Sequence, residues 1–249
     1  MIHYTHPYLL SPVHKITVDL VGLGGTGSKM LSNLARTNEA LLALGHPGLM
    51  VRAWDPDTVT EANKGRQLFS ASDIGLNKAM VLVTRVNRYF GYDWQAIALK
   101  YDYKKTSNIL ITCVDNAAAR INIAQHIKAN SKEPYDELYY WLDLGNLRKT
   151  GQCVLGTMRT ILQPKKPGQT RAVLPHVVKK FPLKKVKEEE QGPSCSLAEA
   201  LMQQDLFINS TLAEFGCDLL WKLLREGELR FHGCYVNLEM FSVNPIKIN

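Results

Sequence analysis

The stretch that most constrains this chain lies between residues 15 and 44. An apolar, β-branched run at 15–21 breaks into Gly22-Leu23-Gly24-Gly25-Thr26-Gly27-Ser28. Apolar residues then recur at helical spacing from 29 to 44 (Met30, Leu31, Leu34, Leu41, Leu44). A strand, a GxGxxG turn and a helix in that order give a tight turn and close backbone approach, and the helix start offers free N–H groups and a positive dipole end to a phosphate. The same residues nearly imitate a P-loop, because four residues separate Gly22 from Gly27. There, however, Ser28 precedes Lys29, the reverse of the order that sends a lysine to the phosphates and a hydroxyl to Mg2+. One helical position rotates a side chain by about 100°, so the P-loop reading fails.

The rest of the pattern extends this unit. Strands are expected at 49–54, 95–101, 109–114 and 138–144, and helices at 78–90 and 117–128. Strands alternating with helices specify an α/β fold, a Rossmann-like, doubly wound, mostly parallel sheet. Further on, 197–224 reads as helical with an interruption near Asn209, and 229–243 as closing strands. The 249 residues fit one domain, 1–249, large enough for a sizeable core, and a 45% hydrophobic composition argues against disorder. No apolar run approaches the roughly 20 residues of a membrane span. Residues 1–14 lack the basic start of a secretory signal. Cys113, Cys153, Cys195, Cys217 and Cys234 are scattered without a CxxC pair, which disfavours a disulfide scaffold or structural zinc and fits a reducing cytoplasm.

Charge is concentrated. Arg159, Lys165, Lys166, Arg171, Lys179, Lys180, Lys184, Lys185 and Lys187 form a segment without an acid, and these nine exceed the net charge of +7 for the whole chain. With Pro164, Pro167, Pro175 and Pro182, the stretch reads as a long basic crossover loop, flexible at about 163–194. It is either simply solvated or a docking surface for an acidic protein. Nucleic acid is disfavoured, because the aromatic residues that stack bases are nearly absent there.

The residues after the second strand separate a triphosphate from a dinucleotide. Asp55 stands where an acid accepts hydrogen bonds from ribose hydroxyls. Asn63 and Arg66, then Lys78, then Asp115 add cationic and oxygen-donor chemistry beyond what a dinucleotide needs. Arginine and lysine answer phosphate charge, and an acid at the end of a strand can hold Mg2+.

Five ordered motifs now stand in the first half of the chain. They are the glycine turn, Asp55-Pro56-Asp57-Thr58-Val59, Asn63-Lys64-Gly65-Arg66-Gln67, Asp73-Ile74-Gly75-Leu76-Asn77-Lys78 and Val114-Asp115-Asn116-Ala117-Ala118-Ala119-Arg120. In order and spacing they resemble the ThiF/MoeB/HesA family, relatives of the ubiquitin-activating enzymes. The second half, through 195–201 and 204–209, resembles the branch of that family found in plasmid-borne PRTRC gene clusters. The resemblance implies ATP-dependent adenylation of the C-terminal carboxylate of a ubiquitin-like or sulfur-carrier protein. It also implies a JAB-type metallopeptidase as a partner from the same cluster, and a homodimer.

Carried onto this sequence, Gly22, Gly24, Gly25 and Gly27 form the backbone cradle, Asp55 binds ribose, Asn63, Arg66 and Lys78 bind phosphates, and Asp115 binds Mg2+. Cys195 is the candidate acceptor of the activated carrier as a thioester; it stands just before an apolar helix whose dipole would favour a thiolate. The chain departs from the family pattern in three ways. It has no arginine before Arg36, which leaves the N-terminal arginine's role empty or to Lys15; it has Lys64 after Asn63; and it lacks paired CxxC motifs. A Rossmann-type NAD(P) oxidoreductase and a non-catalytic adaptor that binds a ubiquitin-like protein are the competing readings.

Overall fold

A computed structural model describes residues 1–64, 67–103, 107–127, 137–165, 169–185 and 204–249. Its centre is an eight-stranded sheet. In chain order the strands are β2 (Ile16–Val21), β3 (Leu49–Trp54), β4 (Gln95–Ile97), β5 (Ile109–Thr112), β6 (Tyr140–Asn146), β7 (Thr150–Thr157), β9 (Phe231–Asn237) and β10 (Ser242–Lys247). Across the sheet they run β10-β9-β7-β6-β5-β2-β3-β4. The five from β6 to β4 are parallel, and β7, β9 and β10 are added antiparallel. A separate ribbon pairs β1 (His3–Tyr4) with β8 (Glu228–Leu229).

Side-chain alternation along the strands divides the core in two. Ile109 and Ile111 of β5, with Tyr140, Leu142 and Leu144 of β6, pack beneath α2 (Gly25–Ala43), α3 (Lys78–Phe90) and α6 (Ile208–Trp221). Leu110 and Trp141, one residue out of phase, pack on the other face with Ile123 of α4 (Ala117–His126) and Val177 of α5 (Val177–Lys180). A period of two with both faces covered is what a parallel sheet requires. The short helix α1 (Pro7–Leu10) contributes the fully buried Leu9.

Local signals explain the boundaries. Asn77 caps α3 by accepting from the Met80 N–H at 3.1 Å, and Gly91 ends it in the left-handed conformation at φ +74°. Asp19 lies fully buried in mid-strand, and its charge is answered by Arg52 through Nε and Nη2, both at 2.7 Å, and by Trp54 Nε1 at 3.0 Å.

The structure corrects several expectations. Helix α2 starts at Gly25 rather than 29, so the second half of the glycine turn, Gly25 to Ser28, is the first helical turn. The strands expected at 95–101 and 109–114 end at Ile97 and Thr112. The expected interruption near Asn209 falls at 204–207, which are not helical, and α6 starts at Ile208. The basic segment is not one surface excursion. Leu174, His176 and Val177 are buried, Trp141 stacks on His176 at 5.2 Å, and Thr170 bridges to Ile2. Arg159 pairs with Glu137, and Arg171 donates to the Asn249 carbonyl. Lys165, Lys179 and Lys184 remain exposed, while Lys166 and Lys187 lie outside the described residues.

Candidate functional site

From β2 the chain builds outward to β3 and β4, then returns to lay β5 and β6 on the other side of β2. The carboxyl ends of β2 and β5 are therefore the point where strand order reverses, the place where open α/β sheets bind ligands. The glycine turn occupies it. Gly22 has φ +88°, and a Cβ there would stand 2.9 Å from the Cys113 carbonyl oxygen, so the turn fits against the end of β5 only without a side chain.

The other three glycines serve different ends. A Cβ on Gly27 would fall 1.8 Å from the Gly22 carbonyl oxygen, so this residue sets how closely helix packs on strand. A Cβ on Gly25 would strike the Asn209 side chain at 2.5–2.9 Å. Around Gly24 nothing lies within 4 Å, which makes it the open side of the turn. The first intrahelical bond of α2 runs from the Ser28 N–H to the Gly24 carbonyl, so the N–H groups of Gly25, Thr26 and Gly27 precede it. An open approach to helix-start donors that precede the first intrahelical bond fits a phosphate.

Asp55, directly after β3, is buried and braces this turn. Its Oδ2 accepts from the Leu23 N–H at 2.6 Å and its Oδ1 from the Asp57 N–H at 2.9 Å. Burial pushes its carboxyl above the ordinary range, opposed by those two N–H groups and by Lys78. Asn77 donates to the Asp55 and Asp57 carbonyls at 2.9 and 3.0 Å, which brings the start of α3 against the end of β3. Lys78 is therefore held at that point, its side chain 10% exposed and its Nζ 3.3 Å from Asp57 Oδ2. Asn63 is buried and commits its Oδ1 to a capping box, accepting from the Thr60 N–H at 2.9 Å, so any phosphate contact falls to its Nδ2.

Asp115 is exposed beyond β5, with Oδ1 accepting from Asn116 Nδ2 at 2.8 Å. Among the described residues no cluster of three or more His, Cys, Asp or Glu forms a metal cage. A single carboxylate is nevertheless the usual protein share of a Mg2+ site completed by phosphates and water. Arg66 and Cys195 lie outside the described residues. Lys15 stands at the opposite end of β2 from the glycine turn and pairs with Asp93 at 3.3 Å.

Two features of the site had no assigned role in the sequence. Arg120 and the fully buried Asp143 form an ion pair at 2.9 and 3.0 Å, with Thr112 Oγ1 donating to Asp143 at 2.6 Å. Arg120 also donates to the Asn116 and Leu144 carbonyls, both at 3.2 Å, so it fastens the Asp115-Asn116 turn to the end of β6. The signal available was an acid inside the apolar run of 138–144. The second feature is Asn209, whose position became meaningful only when α6 met Gly25.

Three of the four described cysteines are not poised nucleophiles, whereas the hydrogen bond with Cys153 draws the Cys234 thiol below its ordinary range. Burial pushes the Cys113 thiol up and that of Cys217 up to about 12. Cys153 is raised by its hydrogen bond to Cys234, 3.4 Å away across β7 and β9, and by burial.

Residues 9–217 match the ThiF family. This chain belongs to the ThiF family. The match includes the glycine turn, Asp55, Asn63, Lys78, Asp115, Arg120 and Asn209. Among solved structures, E. coli MccB with succinimide is similar at TM-score 0.60 and 16% identity, over 93% of this chain and 63% of that one. PaaA is similar at TM-score 0.56 and 15% identity, over 94% and 64%. E. coli MccB with ATP is similar at TM-score 0.57 and 16% identity, over 97% and 65%. The ThiF chain described here thus spans less than two thirds of the length of each, and at these identities the likeness is one of fold. No curated protein matches the sequence. Among the described residues no helix is long and apolar enough to cross a membrane.

Proposed function

We propose that this ThiF-family chain uses ATP to adenylate the C-terminal carboxylate of a ubiquitin-like or sulfur-carrier protein, releasing pyrophosphate. The observation that carries the reading is the meeting, at one switch point, of the open Gly24 side of the α2 turn, the buried Asp55 and the nearly buried Lys78. Solved structures of E. coli MccB with ATP and with MccA support a nucleotide and a second molecule on this fold.

The chemistry asks little of the chain beyond position and charge. An oxygen of the substrate carboxylate attacks the α-phosphorus, and the bond from that phosphorus to the pyrophosphate oxygen breaks. The carboxylate is already ionised, so no general base is required. The turn N–H groups, Lys78 and Arg66 answer charge on the phosphate oxygens, and Asp55 orients the ribose. Asp115 would hold Mg2+, which supplies further neutralisation of phosphate charge.

Finer assignments rest on the sequence resemblance. They are the PRTRC branch, the JAB-type metallopeptidase partner and a homodimer; a cytoplasmic location rests instead on the scattered cysteines, and thioester transfer on Cys195 on its place before an apolar helix. Exposed Lys165, Lys179 and Lys184 supply a basic face for an acidic carrier. The test is ATP–pyrophosphate exchange with the purified carrier. Arg66→Ala and Asp115→Ala should abolish exchange in folded protein, and Cys195→Ala should keep exchange while losing any reductant-sensitive conjugate. NAD binding without exchange overturns the proposal.

A further inference from the structure

Asn209 is 2% exposed, at the start of α6, and its planar amide is wedged against the nucleotide turn. Its Oδ1 accepts from Thr26 Oγ1 at 2.8 Å, and its Nδ2 donates to Gln204 Oε1 at 2.9 Å. Thr26 Oγ1 also lies 3.4 Å from Oδ1 of Asn146, the last residue of β6. Three elements therefore converge on the first turn of α2: the end of β6, the segment before α6, and α6 itself.

Gly25 completes the arrangement. A Cβ there would lie 2.5 Å from Asn209 Nδ2, 2.7 Å from Cγ and 2.9 Å from Oδ1. This glycine is needed to admit the asparagine, whereas Gly24 is the one open to a ligand. The Asn209 amide thus stands against Gly25, one residue from the open Gly24, and the N–H groups of Gly25, Thr26 and Gly27 precede the first intrahelical bond. A side chain with both an acceptor and a donor meets Thr26 and Gln204 together; leucine would meet neither, and aspartate would lose the donor.

We propose that Asn209 is a positioning residue for the ATP phosphates: it sets the backbone of Gly25 and Thr26 so that the helix-start N–H groups face the open Gly24 side. The role rests on the reading that this turn holds ATP. Its consequence is a second-site relationship between residues far apart in sequence. Gly25→Ala pushes a methyl into the amide, and Asn209→Ala vacates the space that methyl needs.

The test uses Gly25→Ala, Asn209→Ala, their double variant and Thr26→Val, which removes the hydroxyl donor at nearly constant volume. Unliganded Tm is measured with the dissociation constant for the ATP analogue AMPCPP by calorimetry, and with kcat and KM for ATP in pyrophosphate exchange. Each single substitution at Gly25 or Asn209 is expected to weaken AMPCPP about tenfold, the effect of one lost hydrogen bond to a charged group. KM should rise more than kcat falls. The double variant should bind more tightly than the product of the single effects, with Tm recovering alongside. Thr26→Val should weaken binding severalfold, which keeps the test informative if Asn209→Ala does not fold. Lower Tm with unchanged AMPCPP affinity in Asn209→Ala or Thr26→Val reduces Asn209 to a packing residue and overturns the proposal, as do strictly independent effects in the double variant. A wild-type protein that binds no nucleotide overturns the adenylation reading and this role with it, while Tm coupling between Gly25 and Asn209 would still report their contact.

Discussion

The same substitution three residues apart should have opposite effects. In Gly27→Ala the new methyl meets the Gly22 backbone carbonyl at 1.8 Å, and a backbone atom cannot rotate away as the end of a side chain can. Helix and strand must separate, at a cost of about 3 kcal/mol or more, the upper end for overpacking. In a domain of this size that lowers Tm by about 6–12 °C. In Gly24→Ala the methyl meets nothing within 4 Å, and Gly24 is the N-cap of α2. Its stability cost is about 1 kcal/mol or less, that of a changed N-cap. That methyl nevertheless stands on the open side assigned to phosphate. Displacing one charge-assisted hydrogen bond weakens ATP binding by about 10- to 100-fold. Differential scanning fluorimetry and calorimetry with ATP read the two effects separately. Wild-type ATP affinity in Gly24→Ala would refute the placement of the phosphates, and an unchanged Tm in Gly27→Ala would refute the packing of the turn.

Other consequences concern the frame and the surface. Arg120→Leu leaves Asp143 buried without its partner and should cost about 3–5 kcal/mol in urea unfolding; a loss below about 1 kcal/mol would show that the pair does not tie the Asp115 turn to β6. His176 stacks on Trp141 with its pKa lowered to about 4 by burial and by Lys179, so the unfolded chain takes up the proton first. Its contribution, at most about 3 kcal/mol, is complete above pH 6.5 and lost as pH falls towards 4. His176→Phe should flatten that part of the stability profile, and an unaltered slope would remove His176 as its source. Replacing Lys179, Lys180 and Lys184 by Ser should slow carrier association and reduce its salt dependence; identical association rates at low salt would return that face to solvent.

Much of the sheet was legible because local chemistry agreed with global position. The bounds of α3 follow from Asn77 and Gly91, and β3 from an apolar run broken only by Arg52. Helix α2 was read as starting too late because glycines hide helix starts: Gly25 and Gly27 are poor helix formers kept for close approach. Strand β7, whose core position shows in the sequence at Cys153, has its bounds blurred for a similar reason, since Gly151 and Gly156 fit against Leu212 and the His176 backbone. Proline and lysine content made 163–194 look like one loop, yet Val177 packs in the core on the α4 side and Leu174 in the core on the other face, a long-range fact that no window of sequence contains. At the site, the order of motifs gave Asp55, Lys78 and the glycines. It did not give Asn209 or the Arg120–Asp143 pair, whose meaning lies in contacts across 183 and 23 residues.

The most direct measurement follows an oxygen atom. The carrier is prepared with 18O in its C-terminal carboxylate and incubated with the protein, MgATP and hydroxylamine as acceptor, and the nucleotide product is examined by mass spectrometry. Attack of the carboxylate on the α-phosphorus, followed by displacement at the acyl carbon, leaves one 18O on AMP and none on pyrophosphate. Label in inorganic phosphate with ADP as the nucleotide product, or unlabelled AMP, would contradict the account.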